Sequence, residues 1–293
     1  MNFTNRPVSP GALRTAPLIL TLLCPLANGA EIFWANPVTG SFSDPSLWTG
    51  GVVPGATDGA SIPAGTVNIA ADWALTNATA GTLAASSALF NQTAGNAALT
   101  GDLRLGTVAA ATGGYTLSGG KLTVANAIHV GEMGAGTLKI ATDLDQTATG
   151  IANRMVVGNR ALPASGNLAA EDVSAFASPS SLGSVQHTAG AFNLTNELWI
   201  GLGSGGSGTA DTEGGYSDIN FGMYELSGTA TLRSKNWLLV GRTGGEGVLN
   251  ISGGTLTKTA EGDPNCSFVA GSYDAGRTSA HGTINQTGGV VTT

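Results

Sequence analysis

The chain has 293 residues, 45 of them glycine, and only 11% of its residues are charged. It is too apolar for a disordered chain and too rich in glycine for a helical protein, so its composition favours many short strands joined by tight turns. The net charge of −7 argues against nucleic acids and anionic membranes as partners, because both require a basic surface.

Residues 1–30 have the pattern of a secretory signal peptide. Arg6 and Arg14 supply its positive charge, and the apolar stretch Ala16–Leu26 is interrupted by proline and too short to cross a bilayer. The small residues of Ala27–Ala30 provide the cleavage site. We therefore predict an exported protein that is extracellular, on the cell surface or associated with an outer membrane. Its mature chain is expected to lack a transmembrane segment.

Residues 31–75 differ from the rest of the mature chain and are predicted to form an N-terminal cap. Their segment Trp34–Ile62 contains two tryptophans, three prolines and several glycines, but no copy of the phrase that recurs later. An atypical terminal segment of this kind covers the first strand edges of a repeat protein.

Within residues 76–293 a short phrase, apolar–x–apolar–Gly, returns along the chain. Its copies are LRLG (Leu103–Gly106), IHVG (Ile128–Gly131), MVVG (Met155–Gly158), LWIG (Leu198–Gly201), LLVG (Leu238–Gly241) and FVAG (Phe268–Gly271). Gly106 and Gly131 are 25 residues apart, which defines the unit, and larger later spacings indicate loop insertions near 159–183 and 202–222. Each unit also contains a strand that ends in a small turn, in most units with glycine, and most units contain a second short strand.

Three short strands in about 25 residues are typical of one coil of a parallel β-helix. The predicted fold is therefore an all-β, right-handed parallel β-helix in one elongated domain. The sequence ends at GGVVTT, partway through a coil and without a cap. We therefore expect the protein to continue into a C-terminal module that this sequence lacks.

Alternation along each strand predicts which side chains point into the core. The strand before the glycine turn gives two inward columns: Phe90, Tyr115, Leu138, Val185, Tyr224, Leu249, Ile284 and Gln92, Leu117, Ile140, His187, Leu226, Ile251, Gln286. The strand with the glycine phrase gives two wholly apolar columns: Leu103, Ile128, Met155, Leu198, Leu238, Phe268 and Leu105, Val130, Val157, Ile200, Val240, Ala270. His187 is therefore predicted to be a hydrogen-bonded core histidine.

The pattern W-x-N-P-x-T-G-x-F-x-D-P-x-x-W, followed by LxVG and LxISGGxL units, resembles the autotransporter-associated β-strand repeat proteins. These are large exported bacterial proteins with passenger-like β-helices, and the resemblance covers nearly all of the mature chain. It implies a right-handed β-helix, export, and display at or beyond the outer membrane. On this basis we predict a non-enzymatic surface or matrix protein, a stalk or an adhesin.

Parallel β-helices also carry polysaccharide lyases and glycoside hydrolases, whose sites need converging carboxylates or a basic residue. The outward columns of this sequence stack no acids, and no catalytic Ser-His-Asp or metal-ligand spacing occurs. We therefore predict no enzyme activity and no cofactor, and keep a carbohydrate-active enzyme or glycan-binding module as the alternative. Two acidic groups leave Ca²⁺ open, although surface solvation is preferred for both. These groups are Asp143 with Asp145, placed in a loop, and Asp211, Glu213 and Asp218 in the second insertion.

One outward column changes from polar to apolar along the chain. It contains Arg104, His129, Val156, Trp199, Leu239 and Val269. In the preferred interpretation, the insertions fold over this stripe and bury it. In the other, Trp199, Val156, Leu239 and Val269 form an exposed contact face for a cell-surface glycan or protein. The exposure of the Trp199 ring distinguishes them, since a buried ring argues against the contact face.

Overall fold

The structure is a computed structural model. It describes residues 29–35, 37–148, 154–159, 181–203, 220–242, 245–259, 267–272 and 280–293. The predicted signal peptide, apart from its last two residues, and most of both predicted insertions lie outside this part of the chain. Within the described ranges, no helix is long and apolar enough to span a membrane.

The described strands form three parallel sheets, which we name A, B and C. Sheet A contains β1 (Glu31–Phe33), β3 (Gly59–Ile62), β6 (Asn77–Ala80), β9 (Leu103–Leu105), β12 (Ile128–Val130), β15 (Met155–Asn159), β18 (Leu198–Leu202), β21 (Leu238–Arg242) and β24 (Phe268–Ser272). Sheet B contains β2 (Thr39–Ser41), β4 (Gly65–Ile69), β7 (Ser87–Gln92), β10 (Thr112–Leu117), β13 (Ala135–Ile140), β16 (Leu182–His187), β19 (Phe221–Leu226), β22 (Glu246–Ile251) and β25 (His281–Gln286). Sheet C contains β5 (Trp73–Leu75), β8 (Asn96–Leu99), β11 (Lys121–Val124), β14 (Asp143–Gln146), β17 (Ala191–Leu194), β20 (Thr231–Ser234), β23 (Thr255–Lys258) and β26 (Val290–Thr292).

Each strand pairs with its equivalents in the coils before and after it, so that the chain visits sheets A, B and C in turn. This is a parallel β-helix with three short strands per coil, and the predicted fold class is confirmed.

The predicted register is confirmed at both pairs of inward columns. Tyr115 lies level with Phe90 and Leu138 in sheet B, and Ile128 lies level with Leu103 and Met155 in sheet A. Every predicted inward residue of sheets A and B is buried from β7 to β22. The equivalent residues of β24 and β25 are more exposed, because no described coil lies beyond them. Burial of these stacked columns is the main source of stability in the solenoid.

The segment predicted as a cap contributes strands to all three sheets. In its first coil, two short 3-10 turns, Pro45–Leu47 and Thr49–Gly51, take the place of a sheet C strand. Between them the ring of Trp48 is 2% exposed, and its Nε1 donates to the carbonyl of Phe42 at 2.8 Å. Trp34 packs edge-on against Trp48 with 4.9 Å between ring centroids. Aromatic rings therefore fill the core at this end.

Glycines shape the corner between sheets A and B. Gly131 has φ +75°, and a Cβ placed on it would lie 2.2 Å from the carbonyl oxygen of Leu182 in the next coil. A Cβ on Gly136, near the start of β13, would lie 1.9 Å from the nitrogen of Gly131. The first glycine supplies the backbone turn and the second permits the close approach. The recurring phrase predicted the first, whereas the second lies outside the phrase.

Candidate functional site

The outer face of sheet A brings together a polar group and an apolar group of side chains. We define the polar cluster as Asp102, Arg104, His129 and Glu132, on and beside β9 and β12. We define the outer apolar cluster as Val156, Trp199 and Leu239, with Leu202, Trp237 and Val269 packed against it. The two clusters occupy successive coils of the same face, because the middle residues of β9, β12, β15 and β18 lie level with one another.

Asp102 anchors the polar cluster, and both of its carboxylate oxygens are already hydrogen-bonded. Oδ2 accepts from Nε and Nη2 of Arg104 at 3.1 and 3.0 Å. Oδ1 accepts from Nδ2 of Asn126 at 2.7 Å and from the backbone nitrogen of Ala127 at 3.1 Å. These contacts tie the arginine to the corner that leads into the next coil. Asp102 is therefore best suited to position Arg104.

Glu132 is the second carboxylate of the cluster, and its two oxygens have different surroundings. Oε1 accepts from Nη1 of Arg104 at 2.9 Å, while Oε2 is buried and has no hydrogen-bond partner among the described residues. Burial raises the pKa of Glu132, and the opposing influence of Arg104 does not cancel this effect. Glu132 is therefore a weaker acid than an exposed glutamate.

His129 lies in the middle of β12, level with Arg104 on one side and Val156 on the other. Its pKa is lowered to about 4, chiefly by burial and further by the positive charges of Arg104 and Arg154, while Asp102 acts in the opposite direction. The imidazole is therefore neutral at neutral pH. Together these groups offer one protonatable carboxyl group, one fixed cation and one neutral imidazole.

The outer apolar cluster is centred on the indole of Trp199, which is 8% exposed. The guanidinium carbons of Arg154 and Arg242 lie 3.7 and 3.9 Å from the centre of this ring. Both contacts have cation–π geometry. Val156 and Leu239 are buried against the ring, 2% and 1% exposed.

The burial of this cluster bears directly on the predicted contact residues Trp199, Val156, Leu239 and Val269. The first three are buried and Val269 is partly buried, so these residues do not form an exposed apolar stripe. The physical reason is that arginine side chains and neighbouring apolar groups pack on the ring. The exposed Trp199 ring that the contact-face hypothesis requires is therefore absent from the described surface.

The predicted location of the first acidic pair in a loop is wrong, because Asp143 and Asp145 lie on strand β14. Asp145 contacts Nζ of Lys121 at 2.5 Å and accepts from Nδ2 of Asn193 at 2.8 Å. Oδ1 of Asp143 accepts from the backbone nitrogen of Ala191 at 2.9 Å. These oxygens are engaged in holding neighbouring coils together.

The other predicted acidic group, Asp211, Glu213 and Asp218, lies outside the described residues. Among the histidine, cysteine, aspartate and glutamate side chains that are described, no three or more are grouped to hold a metal ion.

His187 is fully buried and hydrogen-bonded, which confirms it as a core histidine. Its Nδ1 lies 3.1 Å from the hydroxyl of Tyr224, and its Nε2 lies 3.1 Å from the carbonyl oxygen of Gly190.

The polar cluster was missed in the sequence because its contacts run diagonally. A column compares equivalent positions of successive coils, whereas Arg104 contacts Glu132, which lies one coil later and in a different column. Asp102 precedes β9 and belongs to no strand column. A usable signal is the alignment of GDLRLG (Gly101–Gly106) with the GE step at Gly131 and Glu132, which places one arginine between two acids.

Comparisons with protein-family models, with curated proteins and with solved structures find no match to this chain. The resemblance to autotransporter-associated repeat proteins therefore stays a prediction from the sequence motifs.

Proposed function

We propose that the protein is an exported, non-enzymatic structural protein of the cell surface or extracellular matrix, a stalk or adhesin built as a β-helix. The observation that carries this proposal is the unbroken pairing of nine strands in sheet A, each with its equivalent in the next coil. At about 4.8 Å per strand, these eight steps span roughly 40 Å along the axis. A solenoid of this length can hold a domain attached to one of its ends at a fixed distance from the other end.

The predicted signal peptide and the family resemblance support export, and the composition supports a role outside the cell. The described outer surface of sheet B carries mostly neutral polar side chains, for example Asn91, Thr116 and Gln186. Such a surface stays soluble without attracting polyanions.

Export is tested by expressing the full chain and a variant without residues 1–30 in a diderm bacterium. We expect the full chain to be cut after Gly29 or Ala30, as intact mass will show, and to be digested by protease added to intact cells. The shortened variant should remain inside. An uncut full chain that stays protected in the cytosol would contradict the proposal.

The second candidate is a carbohydrate-active enzyme, and the polar cluster favours it. Asp102 and Glu132 contact one guanidinium group, so they lie well within the separation of about 10 Å that paired carboxylates need in glycoside hydrolysis. Burial also raises the pKa of Glu132, which is the direction of shift that a general acid requires. Two acids against one arginine give no excess positive charge, so a neutral glycan fits this cluster better than a polyuronate.

These two candidates are distinguished by incubating the full chain with neutral polysaccharides and polyuronates and measuring new reducing ends and unsaturated products. A structural protein releases nothing from any of them. Release that is lost in Glu132→Gln but kept in Glu225→Gln, a matched change on the outer face of sheet B, would establish the enzyme and overturn our first proposal.

A further inference from the structure

The same inward position of sheet B carries a polar residue in three coils. The segments are QTAG (Gln92–Gly95), HTAG (His187–Gly190) and QTGG (Gln286–Gly289). In each, the side chain is directed at the carbonyl oxygen of the glycine three residues later, at 2.7, 3.1 and 3.4 Å. The coil after the first two supplies a tyrosine partner, Tyr115 for Gln92 and Tyr224 for His187. Glutamine and histidine therefore fill one structural role.

The hydrogen bonds fix the tautomer of His187. A carbonyl oxygen only accepts, so Nε2 must carry the hydrogen that is donated to Gly190. Nδ1 is then the acceptor, and the hydroxyl of Tyr224 donates to it. Gln92 repeats this arrangement, since its Nε2 donates to Gly95 and its Oε1 accepts from Tyr115.

Protonation affects the two residues differently. A proton on Nδ1 would turn the acceptor of His187 into a donor directed at Tyr224 and would place a positive charge inside the core. The described side chains that these contacts place around His187 carry no charge: it faces Ile140 on β13, Leu226 and Tyr224 on β19, and Phe192 on β17. An uncompensated charge in such a site is unfavourable.

The titration of His187 agrees with this geometry. Burial is the largest influence on its pKa and lowers it from 6.5 to about 4, although hydrogen bonds to the backbone of Gly190 and Ala189 act in the opposite direction. The amide of Gln92 does not titrate at all.

We propose that His187 makes the pairing of β16 with β19 an acid-sensitive joint in the solenoid. Its protonation weakens the contact between these two coils, whereas the equivalent pairing of β7 with β10 around Gln92 is indifferent to pH.

Hydrogen exchange of the full chain, measured by mass spectrometry at pH 7 and pH 4.5 and corrected for intrinsic rates, tests this proposal. We expect opening of the β16 and β19 amides to increase by about tenfold to a hundredfold at the lower pH, because the opened state binds the proton more tightly. The increase should exceed that of the β7 and β10 amides.

Two exchange variants make the test specific. His187→Gln copies the pH-indifferent position and should abolish the excess opening at β16 and β19. Gln92→His copies the sensitive position and should create excess opening at β7 and β10. Undiminished acid opening in His187→Gln, or equal opening of both strand pairs in the unmodified chain, overturns the proposal. If His187→Gln does not fold, the outcome for Gln92→His decides.

Discussion

The two faces of sheet A obey different rules. The inner face repeats itself, with Leu103, Ile128 and Met155 in one fully buried apolar column. The outer face changes character along the same strands, from the ion pairs of the polar cluster to the buried ring of Trp199. An inner residue is enclosed by the same neighbours in every coil, whereas an outer residue depends on whichever side chains its own coil and the next provide. The repeat therefore restricts the residue types on the inner face of sheet A, whereas those on the outer face can differ from coil to coil.

The largest expected effect follows from breaking the inner column. Leu198→Ala removes a side chain that is fully buried between Met155 and Leu238 and should lower the free energy of unfolding by about 3 kcal/mol through lost burial and an unfilled cavity. Urea unfolding measures the change. Thr231→Ala, at an exposed position of sheet C, is the control and should change stability little. A loss below about 1 kcal/mol for Leu198→Ala would mean that the column relaxes to fill the gap.

The outer apolar cluster should behave as a smaller core. Trp199→Ala is expected to cost about 2 kcal/mol, less than the 3–5 typical of a fully enclosed aromatic, because Arg154 and Arg242 can turn to solvent once the ring is gone. The same unfolding experiment measures it, and Trp199→Phe should retain part of the stability. If Trp199→Ala unfolds at the same urea concentration as the unmodified chain, the outer cluster contributes nothing and the two faces differ more than we infer.

An ion pair on the outside of sheet C should contribute least to the free energy of unfolding. Lys121→Met removes the contact with Asp145 and should cost about 0.5 kcal/mol, since the lysine is largely solvated and such pairs are weak. Hydrogen bonds from Lys121 and Asn193 outweigh burial and lower the pKa of Asp145 below its ordinary value of 3.8. The stabilisation is thus present above pH 3.8 and is lost as the pH falls through the folded-state pKa. An effect that persists undiminished in 0.5 M salt would contradict this explanation.

The pKa values of His187, inside the core, and His129, on the outer face of sheet A, give the smallest expected difference between inside and outside. The pKa is lowered to about 4 in both, but charged side chains act only on His129, where Arg104 and Arg154 lower the pKa and Asp102 partly opposes them. Raising the salt concentration from 0.05 to 0.5 M should therefore increase the pKa of His129 by a few tenths of a unit and leave that of His187 unchanged, since screening acts on charges and not on burial. Imidazole NMR titrations at both concentrations measure this. Equal shifts would show that the arginines have no separate influence.

The sequence predicted most of the fold because the repeat states the same structural requirement many times. One coil alone gives an ambiguous pattern, but aligned coils reveal which positions stay apolar, and the registers of sheets A and B follow from that alignment. The strand β14 was placed in a loop because its residues, DLDQ, show two acids and hide the inward pair Leu144 and Gln146. Outward charge obscured an ordinary alternation.

The candidate site was far less predictable. The contact hypothesis for Trp199 assumed that a side chain pointing away from the core is exposed to solvent. This holds for an isolated sheet, but not where arginine side chains from neighbouring coils cover the ring. The polar cluster depends on the direction in which the long side chain of Arg104 extends, and the pattern of residues in a column does not predict that direction. The periodicity of the sequence therefore predicted which side chains point outward, but not which other side chains they contact.

The sequence by itself determined the coil, its inward columns and its glycine corners, because each is a local steric or hydrophobic requirement that recurs in every unit. Only the tertiary structure decided that Glu132 contacts Arg104, that the ring of Trp199 is covered, and that His187 is buried beside Tyr224. Those outcomes depend on contacts between coils. Such contacts link residues that are distant in sequence and unrelated in pattern, and their strength is set by burial that exists only once the coils are stacked.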